Sequence, residues 1–447
     1  AEDADSYIAH SGQYDEQGNR LVQNTDSNGR FHTDWLNMIY PRLRLAKELL
    51  TSDGVIVVAI DENEMDTLSL VLKDVFGESG YEHTCVTVVH NPRGQQGKNF
   101  SHTNEYALFV YPRGDKIIVD RKIPEENVSW SQFRNWGSES ERTDAKNCFY
   151  PVLVKNGEIV GFGKVSDDSY HPVQTVVENC VSYVYPIDRN GIERKWRYAR
   201  QTVDSIKNML RARKTDTGYE IEIGKTFGVQ RTVWSDTRYD ANEYGTKIIS
   251  ELIPNNGFTF PKSLWTVYDC LFAGVGNEKS AIVLDFFSGS GTTAHAVMQL
   301  NAEDGGHRKF IMVQLPEVTD EKSEAYKAGY KNICEIGKER IRRAGKKIKD
   351  ENPLNTQNLD IGFRVLKCDT SNMKDVYYSP ADFELNLLDM MADNIKEDRT
   401  PEDLLFQVML DLGVTLSSKI EETTIAGKKV FDVADGFLIA CFDKDVN

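Results

Sequence analysis

The chain lacks several features, and each absence narrows its class. No apolar run in its 447 residues approaches the roughly twenty needed to cross a bilayer. No signal-peptide pattern stands at its start, so a cytoplasmic protein that makes no use of a membrane is expected. No CxxC pair occurs: Cys85, Cys148, Cys180, Cys270, Cys334, Cys368 and Cys441 are scattered and odd in number. That argues against a disulfide framework or a zinc site. Most of them are expected to be small buried apolar residues in a reducing compartment, with no metal bound. Excess positive charge is missing as well. The 53 Lys and Arg residues face 69 Asp and Glu, a net charge of −16, which counts against indiscriminate polyanion binding. With 40% hydrophobic and 27% charged residues, the chain reads as a soluble globular protein of two or three domains.

The most informative stretch present is Asp285-Phe286-Phe287-Ser288-Gly289-Ser290-Gly291-Thr292-Thr293. An apolar run, Ser280 to Leu284, precedes it and reads as a buried strand. Ala294 to Leu300 follows and reads as a helix. Strand, glycine loop and helix form the layout of a nucleotide-type pocket at the carboxyl end of a parallel strand. Glycines let a ligand lie against backbone, and the helix N-terminus offers N–H groups to a carboxylate or phosphate. A plain βα turn would use similar residues. No lysine directly follows Gly291, which argues against a P-loop. Ala294 stands where a dinucleotide fingerprint has its third small residue, so a nicotinamide-dependent oxidoreductase survives this test.

Few strands remain after this loop, Lys309 to Leu315 being the clearest. A doubly wound sheet needs about five to seven, so the others are expected upstream, at Gly54 to Ile60, Thr84 to His90 and Tyr106 to Tyr111. Residues 1–34 read as polar loop. Trp35 to Leu50 has helical spacing with Asp34 as its N-cap, and Asp66 to Phe76 is a second amphipathic helix. Thr246 is a candidate helix cap, and a charged helix is expected from Glu321 to Lys349. Residues 113–240 have short β-like runs, turns and aromatics, the texture of an inserted α+β domain. From residue 359 a small α/β domain is expected, with strand Ile361 to Cys368, helix Pro401 to Leu412 and strands at Lys429 to Phe431 and Gly436 to Phe442. Basic residues cluster from Arg189 to Lys214, where Trp196 and Tyr198 interleave them, and again over residues 331–349. Such clusters suit a nucleic-acid face or a solvated helix surface.

The chain resembles the methylation (Mod) subunit of type III restriction-modification systems along nearly its whole length. The likeness is carried by the glycine loop, by Asn24 to Leu36, Met38 to Leu43, Leu50 to Ile56, Ile60 to Glu64, Asn91 to Gly94, Asn104 to Leu108, Phe260 to Ser263, Glu335 to Ala344 and Asp393 to Thr400. Their order is more specific than any one of them. The resemblance implies methyl transfer from S-adenosylmethionine to adenine N6 in double-stranded DNA. It also implies a homodimer and an ATP-dependent restriction subunit as partners. The implied fold is α/β: a doubly wound, mostly parallel, Rossmann-like methyltransferase sheet with an inserted α+β recognition domain and a small C-terminal α/β domain. The expected division is 1–112 and 241–352 for the two parts of the core, 113–240 for target recognition and 353–447 for assembly.

On this reading the donor site comprises Asp285, Phe286, Phe287, Ser288, Gly289, Ser290, Gly291, Thr292 and Thr293, with Lys262 and Ser263 for the carboxylate. Gln314 stands where the family has a ribose-binding acid, and Glu317 assists it. DNA contacts are expected from Arg134, Asn135 and Arg142, and from Arg194, Lys195, Trp196 and Arg197. No catalytic residue is assigned. Family members carry an Asp-Pro-Pro-Tyr type loop, and none of the 13 prolines here is adjacent to another. The sequence is therefore expected to lack an N-terminal catalytic segment and to be inactive alone. The alternative is a noncatalytic DNA-binding and assembly subunit.

Overall fold

The computed structural model describes residues 31–94, 99–258, 260–374 and 394–443. The chain divides into two compact units, one of residues 43–361 and one of residues 1–42 with 362–447. Residues 1–30, expected as polar loop, lie outside the described residues.

Within residues 43–361, strand β1 (Ile56–Ile60), helix α1 (Met65–Phe76) and strands β2 (Tyr81–Val89) and β3 (Asn104–Pro112) follow in order. β3 lies between β1 and β2 and runs antiparallel to both, while the two-residue strand Val233–Trp234 joins the outer edge of β2 in parallel. β1 and β2 therefore run parallel to one another, as the crossover through α1 requires. Among the described residues no helix separates β2 from β3, and the two strands pair antiparallel from Tyr81↔Pro112 to Val89↔Asn104. The glycine-loop strand, β4 (Ile282–Asp285), pairs in parallel with β5 (Lys309–Met312) through helix α2 (Thr292–Asp304). These two strands form their own sheet, which is not hydrogen-bonded to the first. The expected single, mostly parallel sheet is thus corrected to one mixed and one parallel sheet among the described residues.

A helix joins the two sheets. The segment Leu264–Val275, α3, sends Ala273, Trp265 and Cys270 into the core formed by Val86, Val88, Ala107, Phe109 and Trp234. Its Leu264 and Tyr268 pack instead on Ala296 and Leu300 of α2. Arg308 fixes the far end of this assembly, donating to the carbonyls of Val275 and Gly276 and to Asp304. The final helix of the unit, α4 (Ile333–Glu351), buries Ile336, Gly337, Arg340, Ile341, Ala344 and Ile348 along one stripe.

Residues 131–223 build two antiparallel sheets over one core that includes Phe133, Tyr150, Val152, Val184, Trp196 and Ile221. In the other unit, helix Pro401–Asp411 has a Thr400/Asp403 capping box and contributes Leu405 and Met409 to a core with Phe431 and Val433 of a three-stranded antiparallel sheet.

Several local expectations change. The helix predicted from Glu321 to Lys349 breaks at Gly329, which takes a φ of 98°, and restarts with Asn332 as N-cap to Glu335 N–H. The helix at Trp35 begins instead at Phe31, so Asp34 is inside it rather than capping it. Thr246 ends a π turn and makes no side-chain cap. Ile361 to Cys368 is not a strand. Cys148 is buried, but Cys85, Cys180 and Cys368 are exposed. Among the described residues no helix is long and apolar enough to cross a membrane.

Candidate functional site

The glycine loop is held open from three sides by its neighbours. Asp285, at the end of β4, accepts Phe287 N–H at 3.1 Å and the Thr293 hydroxyl at 2.6 Å. One carboxylate therefore pins both ends of the loop. Gly289 and Gly291 have φ values of 49° and 78°, a region costly for side chains with a Cβ. Space enforces the same choice at Gly291, where a Cβ would meet the Gly337 carbonyl of α4 at 3.3 Å. A Cβ at Gly337 would in turn meet the Gly289 carbonyl at 3.2 Å. The glycines thus serve helix packing. Gly291 caps α2, whose first turn directs its unbonded N–H groups toward the loop.

From below, Arg340 of α4 donates to Ser290 Oγ at 2.8 Å and to Thr292 Oγ1 at 2.7 Å. It is completely buried, and burial alone pushes its pKa down to about 10. Among the described residues its Nε and Nη2 have no hydrogen-bond partner. Buried His295, one turn into α2, likewise has no partner for Nδ1 among them. Burial, then the charges of Arg340 and Lys347, hold its pKa well below the usual histidine value. The loop therefore sits over a buried positive charge with no acidic counter-group among the described residues.

The expected ribose ligand takes another part. Gln314 Oε1 accepts Gly289 N–H at 2.7 Å, so this side chain clamps the loop to the strand beside it. Glu317 is exposed. Phe286 is partly buried and Phe287 is 50% exposed, with ring centroids 5.3 Å apart; neither is a closed core residue. Phe258 adds an aromatic that sequence reasoning missed, since its ring would meet a Cβ on Gly289 at 3.4 Å. The hydrogen bonds of Lys262 and Ser263 run elsewhere. Lys262 pairs with buried Glu105. Ser263 donates to the Arg238 carbonyl and accepts Trp265 N–H as the N-cap of α3.

The recognition candidates separate by burial. Arg134, Arg142 and Trp196 are interior residues. Arg142 donates to the carbonyls of Ser166, Asp167 and Tyr170 and to Glu193. Trp196 stacks on Phe133 at 5.0 Å and donates to the Tyr150 carbonyl. Arg194 pairs with buried Asp188. Arg197 is exposed, and Asn135 and Lys195 are half-buried. A cavity of about 360 Å³ opens beside Arg142, lined also by Glu141, Lys146, Asp168, His171 and Glu193; it is not at the glycine loop.

Residues 13–344 match the family described as DNA methylase. The EcoPI Mod subunit of Escherichia phage P1, a type III restriction-modification enzyme, is 28% identical over 92% of this chain and 64% of its own length. The type II methyltransferase M.KpnI of Klebsiella pneumoniae is 30% identical over 71% of this chain and 75% of its own. The StyLTI Mod subunit of Salmonella typhimurium is 31% identical over 74% of this chain and 48% of its own. The chain thus spans about half to three quarters of these relatives. A loop pinned by Asp285, floored by Arg340 and set before α2 falls inside the matched region, and this chain belongs to the DNA methylase family.

Proposed function

We propose that this chain is the donor-binding and target-recognition portion of a type III modification subunit, which methylates adenine N6 at a specific DNA site. The observation that carries the reading is the loop from Asp285 to Thr293, where two left-handed glycines expose backbone at a helix N-terminus. That cradle fits S-adenosylmethionine. The first turn of α2 suits its carboxylate, Phe287 and Phe258 suit its apolar carbons, and exposed Glu317 suits its ribose hydroxyls. When bound, the donor supplies an electrophilic methyl group on a sulfonium. The chain's own residues orient that group: Asp285, Gln314 and Arg340 hold the loop's shape by hydrogen bonds already made.

The recognition part is residues 113–240, flanked by core segments 1–112 and 241–352 and followed by an assembly region, 353–447. Its partners are double-stranded DNA, a second copy and an ATP-dependent restriction subunit, all in the cytoplasm. No two prolines are adjacent here, so these residues do not themselves provide an Asp-Pro-Pro-Tyr loop, and the chain alone should bind donor without methylating. A second reading is a noncatalytic DNA-binding and assembly subunit. Calorimetry with S-adenosylhomocysteine against NAD tests the donor site, and binding of NAD alone would overturn it. Labelled-methyl transfer to mixed-sequence DNA, by a version extended with the loop, separates the two readings. Incorporation into adenine supports the enzyme, and none supports the assembly subunit.

A further inference from the structure

Trp136 stands out in the region between the core segments because its ring is both exposed and fixed. It is 50% exposed, whereas Trp196 nearby is buried. Its indole N–H donates to Gln132 Oε1. Gln132 Nε2 donates in turn to Glu220, which Arg213 holds. The guanidiniums of Arg134, 4.8 Å from its centroid, and Arg194, 5.8 Å away, lie against the ring. Both are anchored within the domain, Arg134 on the Ile187 carbonyl and Arg194 on Asp188 and Ser140. Both cations are largely shielded from solvent, while half of the indole's surface is left exposed. The carboxylates around it, Glu220 and Asp188, are already engaged.

An exposed indole gains nothing from water, and ordering its side chain costs entropy. The arrangement makes sense if a flat π partner completes it. The two neighbouring cations hold the ring by cation–π attraction, and exposed Arg197 nearby in the fold supplies charge for a phosphate. In an intact duplex the base faces are covered by their stacked neighbours, and the grooves present only edges. We infer that Trp136 is a stacking platform for a nucleobase that has left the duplex stack. This rests on the DNA methyltransferase reading, in which the reacting base must leave its pair. It adds a named aromatic contact outside the donor loop.

The test uses the full chain and two labelled duplexes of mixed sequence, identical except for a short central bubble of mismatches. The wild type is expected to prefer the bubbled duplex. Trp136→Ala should lose roughly tenfold affinity for the bubble and little for the paired duplex, while Trp136→Phe retains most of the preference. S-adenosylhomocysteine binding should be unchanged in both variants. With the native chain, 2-aminopurine placed in the bubble should be quenched on binding, a readout that does not depend on any variant folding. No bubble preference in the wild type, equal losses on both duplexes, or a brightened 2-aminopurine would each overturn the platform. A wild type that binds S-adenosylhomocysteine but neither duplex sinks the platform and leaves the donor site standing. A wild type that binds neither DNA nor S-adenosylhomocysteine sinks the methyltransferase reading as well.

Discussion

Arg340 illustrates how one buried side chain can set the character of a loop, here by donating to Ser290 and Thr292 from beneath. Its burial was hidden in the sequence because it lies in a run of basic residues that resembles a solvated helix face. Only the register of Ile336, Ile341, Ala344 and Ile348 shows that position 340 points inward. Arg340→Met should weaken S-adenosylhomocysteine binding about tenfold, in line with losing a charge-assisted bond worth roughly 1.5–3 kcal/mol. The urea midpoint should move little, because removing a buried charge without a counter-ion relieves desolvation. A large midpoint shift with unchanged ligand affinity would contradict this. His295 gives a prediction about acid. Its folded pKa is depressed well below 6.5, so below pH 6.5 the unfolded chain binds a proton that the folded chain refuses. Stability should fall as pH drops through that range, by up to about 1.4 kcal/mol per pH unit from this group, and be independent of it above. Urea melts of His295→Leu should show a flatter acid limb, and an identical limb would remove His295 from the account. The strand ending at Asp285, the turn glycines Gly289 and Gly291 and the helix after them were legible from spacing because that layout is local. Gln314's turn toward Gly289 was not, since its partner is 25 residues away.

At the scale of elements, α4 and the glycine loop share a contact made of backbone. Gly337 sits inside a helix, where alanine ordinarily adds about 1 kcal/mol of stability. Here its methyl group would press on the Gly289 carbonyl at 3.2 Å. Gly337→Ala should therefore lower both melting temperature and donor-analogue affinity; a rise in both would show that the loop yields freely. The strand and helix positions of β1, α1, β2 and β3 could be read from hydrophobic periodicity, but strand direction could not. The absence of a helix between β2 and β3 was the available sign of a hairpin, and it was outweighed by the expectation of a parallel sheet. The break at Gly329 was missed for a related reason: charge pattern continues across it while the backbone does not.

For the whole molecule, a net charge of −16 means that the proposed DNA association would have to rely on local charge against an unfavourable background. Exposed Arg197 and interior Arg142 should separate phosphate contact from architecture. Arg197→Ala should weaken DNA binding similarly for all sequences and reduce the slope of log affinity against log salt by about 1. Arg142→Ala should instead lower the melting temperature, because three carbonyls and Glu193 lose their donor, each orphaned group costing roughly 1–3 kcal/mol. Equal salt slopes for Arg197→Ala and wild type would exclude Arg197 from the phosphate contacts. The two-stranded sheet that carries the glycine loop has a further consequence. Among the described residues β4 and β5 each leave one edge without a partner, and Ile282, Ile311 and Leu315 are half exposed or more. A ribbon so thinly covered recruits neighbours, so concentrated preparations of this polypeptide should turn turbid on mild warming, with cross-strand pairing between molecules ahead of global melting.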